Sequence, residues 1–557
     1  MNKKKFIIFL LVLTSIIFTT NKKSSANQDS ITLNNNNLFS DKNLKKEANK
    51  AFLDKDFKRS ESLFEKLIKK FPNEEDYKKK YILSLYNTEE YSKLLKAKKF
   101  LNNYYKNSID IDIKKYISDI DNKLNKISND NNKIFYNILE AIEYPEIVYK
   151  LDFSIDEKNH NDFNSFISKI DKFKNLEYLR VSIDEYTINR LKEINKLNKL
   201  KSLFLTSNSS DIKIPLWIYT LKNLENLSIN NFEIKMKNIP KEIFNMNKLQ
   251  SLSLLHINIK EIPDEIKKLT NLKKLSIETI ESLYISDEIL NLDNLVTLSI
   301  RADKIYNFPI KVASLKNLSE VNLYTNSILF PEQVLEINKL KVLSVHSSEN
   351  LSVPSKINKL KNLEKLDLSS HGELLFPLQI FEIKSLKSLL LYSHRSLNIP
   401  KKIENLENLE ELNLHSGTSL NIPQKIENLD NILSLALIGK LNSIPFNLNS
   451  LKKLTDLDIR LNNFDNINDE LKKINLSLKK LNLSMNNINY YPVEINKFIN
   501  LNELDISDNN IKDFPSVNLK YFPNLRELYI ERNNLSLDNK NEIKSTISEK
   551  INLIIEP

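Results

Sequence analysis

The sequence predicts an α/β solenoid, a curved array of short repeats with a parallel sheet on its concave side, preceded by a small all-α segment. A leucine pattern recurs every 22 to 25 residues over most of the chain, and a proline follows many of the copies at a nearly constant offset. A chain of 557 residues is too long for one ordinary core,. A repeat array escapes that limit because each unit packs only on its neighbours.

Each repeat combines a strand with an irregular outer segment. The unit reads L-x-x-L-x-L, a variable turn, then P-x-x-I-x-x-L-x-N,. Leucines two apart point into a core while the residue between them faces out, and proline starts the outer segment without needing an amide donor. Strands about 4.8 Å apart stack more closely than the outer segments, so the array curves. The first leucines of sixteen units, with one isoleucine, are Leu176, Leu200, Leu224, Leu249, Leu272, Leu295, Leu318, Leu340, Leu363, Leu386, Leu409, Ile432, Leu454, Leu478, Leu501 and Leu525.

This pattern resembles the bacterial secreted and surface leucine-rich-repeat proteins with typical 23-residue repeats, over roughly residues 133–537. The resemblance implies a curved leucine-rich-repeat solenoid and recognition of another protein. Members carry an asparagine three residues after the last strand leucine, where its side chain bonds neighbouring turns. Earlier units often depart from this rule, so we expect an irregular asparagine ladder in the middle of the array. The last four units obey it, with Asn462, Asn486, Asn509 and Asn533.

Residues 1–26 are predicted to be a signal peptide. A basic start, Lys3 to Lys5, precedes an apolar run from Phe6 to Phe18, and small residues lie before a cut at Asn27,. The run is too short to span a bilayer comfortably. Lysines between the run and the cut keep an uncleaved anchor open as an alternative. We expect an exported protein (periplasmic, cell-surface or secreted) with no membrane span after cleavage.

A linker and a helical segment separate the signal from the repeats. Residues 27–40 are Asn-rich and predicted to be disordered,. Residues 41–130 are predicted to be helical, and one stretch has the spacing of a tetratricopeptide repeat, with a plain helical bundle as the alternative. That stretch comprises Ala48, Phe57, Ser60, Phe64, Leu67 and Pro72.

The solenoid is predicted to span residues 133–557 with a cap at each end, because open sheet edges need covers. Ile134, Ile138 and Ala141-Ile142 have helical spacing and predict a helix that covers the first edge. At the other end, Asn539 and Glu542 have the spacing of a capping box that starts a last helix,.

Composition excludes several classes of function. The chain has no cysteine, so it has no disulfide, thiolate metal site or cysteine nucleophile, and its three glycines form no phosphate loop,. The net charge of +10 includes five lysines of the signal, and the remaining lysines alternate with acids. This pattern argues against nucleic-acid binding. We expect no cofactor, no metal and no enzymatic activity.

One strand column is predicted to form the binding surface. Tyr324, His346, Ser369, Tyr392 and His415 occupy equivalent positions on five adjacent strands and face out of the concave sheet,.

The histidines next to this column are open to three interpretations. His371 and His394 lie two residues after it, in the asparagine slot, where they could bond turn carbonyls as asparagine does. The column could instead be the centre of a partner-binding surface. A metal site between the two histidines is the third interpretation. The predicted partner-binding residues are Tyr324, His346, Ser369, Tyr392, His394 and His415.

Acidic side chains line the concave face of the last units. Catalytic carboxylates need a partly dry pocket, which an open sheet does not offer, so these acids are interpreted as a rim that steers a basic partner or as solubilising charge. They are Asp456, Asp458, Glu503, Asp505, Glu527 and Glu531.

The sequence therefore predicts a non-enzymatic scaffold that recognises a protein or peptide on its concave face. A glycan-binding or structural cell-envelope protein is the alternative.

Overall fold

The computed structural model describes residues 35–88, 91–104, 111–128, 132–155, 159–207, 214–231, 239–327, 329–548 and 550–556. Contacts divide the chain into two compact units, Met1–Asp130 and Asn131–Pro557. The predicted signal, residues 1–26, lies outside the described residues. Across the described ranges, no helix is both long and apolar enough to cross a membrane.

The first unit is helical. Neighbouring helices share one apolar core that includes Ala48, Phe64 and Leu67, and the buried hydroxyls of Ser60 and Ser84 are 2.8 Å apart. The small Ala48 and Ser60 side chains allow close approach of the helices. The resemblance to a tetratricopeptide repeat stays a prediction. The five helices are α1 (Asn35–Leu53), α2 (Phe57–Lys70), α3 (Glu75–Asn87), α4 (Tyr91–Tyr104) and α5 (Ile111–Ser128).

The predicted disordered linker is wrong in its last part. Helix α1 begins at Asn35, inside the segment 27–40 that composition assigns to disorder. Composition says little here because extending an existing helix by one residue costs far less than nucleating a new one. The Asn-rich turn is therefore continuous with the amphipathic part of α1, which buries Ala48 and Ala51.

The second unit contains a parallel sheet of 19 strands. Each strand pairs in parallel with the next strand along the chain. The strands are β1 (Ile134–Phe135), β2 (Lys150–Ser154), β3 (Tyr178–Ile183), β4 (Ser202–Ser207), β5 (Asn226–Asn230), β6 (Ser251–Leu255), β7 (Lys274–Glu278), β8 (Thr297–Ala302), β9 (Glu320–Thr325), β10 (Val342–Ser347), β11 (Lys365–Ser370), β12 (Ser388–Ser393), β13 (Glu411–Ser416), β14 (Ser434–Ile438), β15 (Asp456–Asp458), β16 (Lys480–Asn482), β17 (Glu503–Asp505), β18 (Glu527–Tyr529) and β19 (Asn552–Ile554).

The repeat leucines build the core of this sheet as predicted. Leu366 and Leu368 of β11 are fully buried, and Asp367 between them lies on the concave face. Because the period of two is kept in register from β2 to β18, each repeat adds two apolar side chains to a continuous core. The predicted α/β solenoid with a parallel concave sheet is confirmed.

The outer segments are mostly single 3₁₀ turns, many of which begin directly after a proline. Pro263, Pro354 and Pro400 each precede such a turn, and the first amide of a helix needs no intrahelical acceptor,. The turns are Pro145–Ile147, Ile170–Lys172, Arg190–Lys196, Leu216–Thr220, Lys241–Asn245, Asp264–Lys268, Asp287–Asn291, Val312–Ser314, Glu332–Glu336, Ser355–Lys359, Leu378–Glu382, Lys401–Asn405, Gln424–Asn428, Leu448–Ser450, Val493–Lys497 and Ser516–Tyr521.

Short strands and helices complete the second unit. Segments of two or three residues after the concave strands form small parallel sheets of their own: Glu261–Ile262, Leu283–Ile285 and Ile305–Tyr306; Leu351–Ser352 and Leu374–Leu375; Leu397–Asn398 and Leu420–Asn421. The helices are α6 (Ile138–Glu143), α7 (His160–Ser168), α8 (Glu185–Ile188), α9 (Asn468–Lys472) and α10 (Leu537–Thr546). The prediction that Ile134 belongs to the first helix is wrong, because Ile134 lies in β1 and Asn137 caps α6 at its start.

The predicted capping box at Asn539 is wrong. Helix α10 begins earlier, and Ser536 is its N-cap, with Oγ accepting a hydrogen bond from the amide of Asn539. The Asn539 side chain instead bonds both backbone groups of Phe514 in the preceding repeat. Asn539 therefore fastens the terminal helix to the array, a long-range role that local spacing could not indicate.

Candidate binding surface on the concave sheet

The strand register brings the predicted column together. Tyr324 on β9 is paired with His346 on β10, and His346 with Ser369 on β11. Ser369 is paired with Tyr392 on β12, which is paired with His415 on β13. These five residues are called the aromatic row. Their alignment follows from the strand register, in which the residues on either side of each one are also paired. The turns absorb the difference between repeats of 22 and 23 residues, because a shift of one residue within a strand would turn each side chain to the other face.

The rings of the aromatic row pack in two pairs. The rings of Tyr324 and His346 are stacked with centroids 4.4 Å apart, and those of Tyr392 and His415 are edge-on at 4.7 Å. These distances match the spacing of neighbouring strands, about 4.8 Å. The guanidinium carbon of Arg301 on β8 lies 4.7 Å from the Tyr324 ring centre and extends the row by one strand,. The row is therefore a rigid, partly exposed aromatic surface.

Ser369 separates the two pairs and contributes little surface. It is 8% exposed, and its hydroxyl donates to Asp367 Oδ1 at 3.1 Å. His346 Nε2 lies 3.2 Å from the other oxygen of Asp367, yet the geometry is not that of a hydrogen bond. Asp367 thus lies between a hydroxyl donor and an imidazole. The structure places Ser369 in the row as predicted, but as a support for Asp367 more than as a contact surface.

His371 and His394 do not replace the asparagine of the repeat. Both are exposed, and within the described residues neither ring takes part in a hydrogen bond. The His371 ring lies edge-on to Tyr392 at 5.4 Å and so borders the aromatic row. The interpretation of these histidines as bonding turn carbonyls is therefore wrong.

Buried hydroxyls one residue earlier take the role of the asparagine. Ser370 Oγ contacts the carbonyl oxygens of Glu349 at 2.7 Å and Glu373 at 3.1 Å and accepts from the amide of Gly372. Ser416 Oγ contacts the carbonyl oxygens of Arg395 and Ser419 in the same manner. The hydroxyl ladder of the middle units comprises Thr279, Ser347, Ser370, Ser393 and Ser416.

This ladder was visible in the sequence. A serine or threonine directly precedes the asparagine slot in most of the middle units, although Ala302 interrupts the series. Thr325 has the same position, but its buried hydroxyl has no hydrogen-bond partner among the described residues.

The last units carry the predicted asparagine ladder. The amide nitrogen of Asn486 donates to the carbonyl oxygens of Ile459, Leu483 and Ser484, and its oxygen accepts from the amide of Phe464. Asn462, Asn509 and Asn533 bond in equivalent ways. The prediction for these four residues is confirmed. The turns of the array are therefore held by buried hydroxyls in the middle units and by asparagine side chains in the last units.

A cavity of about 520 Å³ adjoins the first end of the aromatic row. Its lining combines Tyr324 and His346 with Arg301, His256 and Glu278. The carboxylate of Glu278 lies 3.4 Å from Arg301 Nε and 3.3 Å from His256 Nε2, so it offsets the positive charge on the lining. A larger cavity of about 1270 Å³ is lined by outer-segment residues and lies away from the row.

Burial shifts the pKa values of two side chains in the aromatic row. Burial raises the pKa of the Tyr324 hydroxyl, which the negative charge of Asp367 also raises. Burial and the nearby charge of Arg460 lower the pKa of His415, so its ring is neutral at pH 7,. In the described part of the chain, no group of three or more His, Asp or Glu side chains could hold a metal ion.

The fold and the register of this surface define a leucine-rich-repeat solenoid. Residues 158–322 match the family model described as a leucine-rich repeat region. A leucine-rich-repeat protein of Leptospira interrogans is 24% identical, with 76% of this chain and 100% of that chain covered and a TM-score of 0.43. An internalin of Listeria monocytogenes is 19% identical, with coverage of 64% and 87% and a TM-score of 0.36.

A plant protein is also similar. The Arabidopsis receptor kinase HAESA, solved with the peptide hormone IDA and the co-receptor SERK1, is 19% identical, with coverage of 72% and 77% and a TM-score of 0.33. No curated protein sequence matches the chain.

Proposed function

We propose that this protein is an exported, non-enzymatic scaffold that binds a protein or peptide across the aromatic row of its concave sheet. The observation that carries the proposal is the pair of ring contacts, Tyr324 with His346 and Tyr392 with His415, held on four of five consecutive strands. Rings held by a paired backbone lose little conformational freedom when a partner docks, so they supply contact area at low entropic cost.

The dimensions of the row suit an extended chain. Four strand spacings of about 4.8 Å separate Tyr324 from His415, which gives a row of about 19 Å. An extended peptide advances about 3.4 Å per residue, so about six residues would cover the row. At one end of the row, Arg301 and the cavity beside Tyr324 offer polar groups that can bind the end of such a peptide.

Peptide selection tests this proposal and does not require the natural partner to be known. A library of random 12-residue peptides is displayed on phage and selected on the immobilised full chain. Selected peptides are then synthesised, and their affinity is measured by fluorescence anisotropy. We expect the variant Tyr324→Ser/His346→Ser/Tyr392→Ser/His415→Ser to bind them at least about 10-fold more weakly, since buried aromatic contacts dominate such interfaces.

A matched control separates the row from tyrosine loss in general. Tyr284 and Tyr306 are also stacked, with ring centres 4.9 Å apart, but lie in the small outer sheet. Tyr284→Ser/Tyr306→Ser should leave the affinity unchanged. Equal binding by the row variant, with an unchanged circular dichroism spectrum, would contradict the proposal. Selection of no peptide, together with retention of the chain on insoluble cell-wall polysaccharide, would favour the glycan alternative.

The export proposed here rests on residues 1–26. Its test is N-terminal sequencing of the protein recovered outside the cytoplasm, where a chain that begins at Asn27 is expected and an intact Met1 would contradict cleavage.

A further inference from the structure

A second surface of distinct chemistry lies on the same concave face. It is called the acidic strip and is carried by β15, β17 and β18. Leu528 and Ile530 are buried in the core, so Glu527, Tyr529 and Glu531 lie on the concave side by alternation,. The acidic strip consists of Asp456, Asp458, Glu503, Asp505, Glu527 and Glu531.

Few cations neutralise the acidic strip. Arg460 Nε lies 3.3 Å from Asp458, and Lys480 Nζ lies 2.8 Å from Glu503. Among the described residues, Asp456, Asp505 and Glu527 form no ion pair, and their partners are hydroxyls and amides. Carboxylates therefore outnumber cations here, although the whole chain carries a net charge of +10.

Glu531 shows that the strip is not merely solvated surface. The residue is 8% exposed, and its Oε2 atom is buried without a hydrogen-bond partner in the described part of the chain. Its Oε1 atom lies 3.5 Å from Arg532 Nη2, but that guanidinium is already held by both oxygens of Asp508. A buried carboxylate oxygen without a donor is costly. The charge of a cation bound beside Glu531 would offset part of that cost.

The crowding of negative charge points the same way. Burial raises the pKa of Asp458, and the charge of Asp505 two strands away adds to the rise, against the opposing effect of Arg460. A cation bound between these strands would offset the repulsion and favour the ionised form of Asp458.

We propose that the acidic strip is the docking surface for a run of lysine or arginine side chains in the partner. The proposal rests on the proposed function, because it assigns the chemistry of a partner that also covers the aromatic row. Between the two surfaces lies β14, whose concave residues Ala436 and Ile438 are buried and uncharged. The two surfaces are thus parts of one continuous face.

The strand spacing fixes the order of features in the partner. From His415 on β13 to Asp458 on β15 the gap is two strands, about 10 Å, or about three extended residues. The strip itself spans β15 to β18, about 14 Å, or about four residues. The partner is therefore a segment in which about six residues that cover the rings are separated by about three residues from a short basic run.

Binding of a fluorescent octalysine peptide tests the strip. The affinity of the full chain is measured by anisotropy at low and at physiological salt. Asp458→Asn/Asp505→Asn/Glu531→Gln, which preserves side-chain shape, should weaken binding about 10-fold at low salt and flatten its salt dependence. The matched control neutralises three acids of the outer turns, Glu332→Gln/Glu382→Gln/Glu404→Gln, and should change the affinity less than about 2-fold. Equal loss in both variants, or no loss in the first, would overturn the proposal.

Two further measurements separate this proposal from the proposed function. The variant that removes the four rings of the aromatic row should bind octalysine like the unmodified chain, so failure of the row would leave the strip intact. Peptides selected by display should carry lysine or arginine about three residues beyond their ring-binding part. Selected peptides that bind through the row and carry no basic run would overturn the strip proposal while leaving the proposed function standing.

Discussion

Replacement of Ser370 by alanine is expected to lower the free energy of unfolding by about 2 kcal/mol, whereas His371→Ala is expected to change it by less than about 0.5 kcal/mol. Ser370 is 0% exposed and belongs to the hydroxyl ladder, while His371 is exposed in the slot that the repeat family gives to asparagine. The two neighbours therefore test which position holds the middle turns together.

The magnitude follows from the groups that alanine leaves without partners. The amide of Gly372 donates to Ser370 Oγ at 3.1 Å, and this hydroxyl lies 2.7 Å from the carbonyl oxygen of Glu349. Alanine leaves both backbone groups unsatisfied at a buried turn, and each such group costs about 1–3 kcal/mol. The summed range is about 2–6 kcal/mol, and its lower end, about 2 kcal/mol, applies because water can reach part of the turn.

Urea unfolding followed by circular dichroism measures this loss, and hydrogen exchange at Gly372 localises it. Exchange at that amide should accelerate in Ser370→Ala and stay unchanged in His371→Ala. Ser370→Thr is the matched control, because Thr279 keeps the same hydroxyl at the equivalent position of another repeat. A cost of His371→Ala equal to that of Ser370→Ala would refute the assignment of the ladder.

Three further predictions concern other turns of the array. Asn486→Ala should lower the free energy of unfolding by about 3 kcal/mol in urea titrations, because it removes four buried side-chain bonds, and an unchanged midpoint would contradict the asparagine ladder,. Gly417→Ala should cost about 1–3 kcal/mol, since the added Cβ would lie 2.3 Å from a backbone carbonyl oxygen of the preceding repeat, and a thermal midpoint equal to that of the unmodified chain would show that the turn can yield,. Burial alone would raise the pKa of Asp184, but hydrogen bonds from His160 and Thr187 hold this pKa below its ordinary value of 3.8. The ionised Asp184 therefore stabilises the folded chain fully above the unfolded-state pKa, and this stabilisation is lost as pH falls through the lower folded-state pKa. The urea midpoint of Asp184→Asn should then decline less below pH 4 than that of the unmodified chain, and parallel pH profiles would contradict this.

The sequence predicted the aromatic row because its evidence is periodic. Tyr324, His346, Tyr392 and His415 each follow the last leucine or valine of the strand pattern directly, which places them on one column whatever the length of the turns, and the strand register has this alignment. The sequence could not predict that Ser369 would be almost fully buried, because its burial depends on the rings of neighbouring strands.

Local spacing failed where the partner of a side chain lies in another repeat. Asn539 has the spacing of an N-cap but bonds Phe514, which precedes it by one repeat. His371 occupies the family's slot, yet the turn is held by Ser370. In both cases two positions compete for one set of backbone groups, and three-dimensional distances decide between them.

The sequence by itself determined the solenoid, the direction of its parallel strands and the side chains on its concave face, because a fixed repeat length and an alternation of two leave no other way to bury the leucines. Only the tertiary structure decided which polar groups hold the turns and which carboxylates stay without cations. Glu531 is one acid among several in the sequence, and its burial with an oxygen lacking a donor depends on the strands packed around it. Each buried polar group needs its own hydrogen-bond partner, and a partner in another repeat cannot be read from the periodic pattern of the sequence.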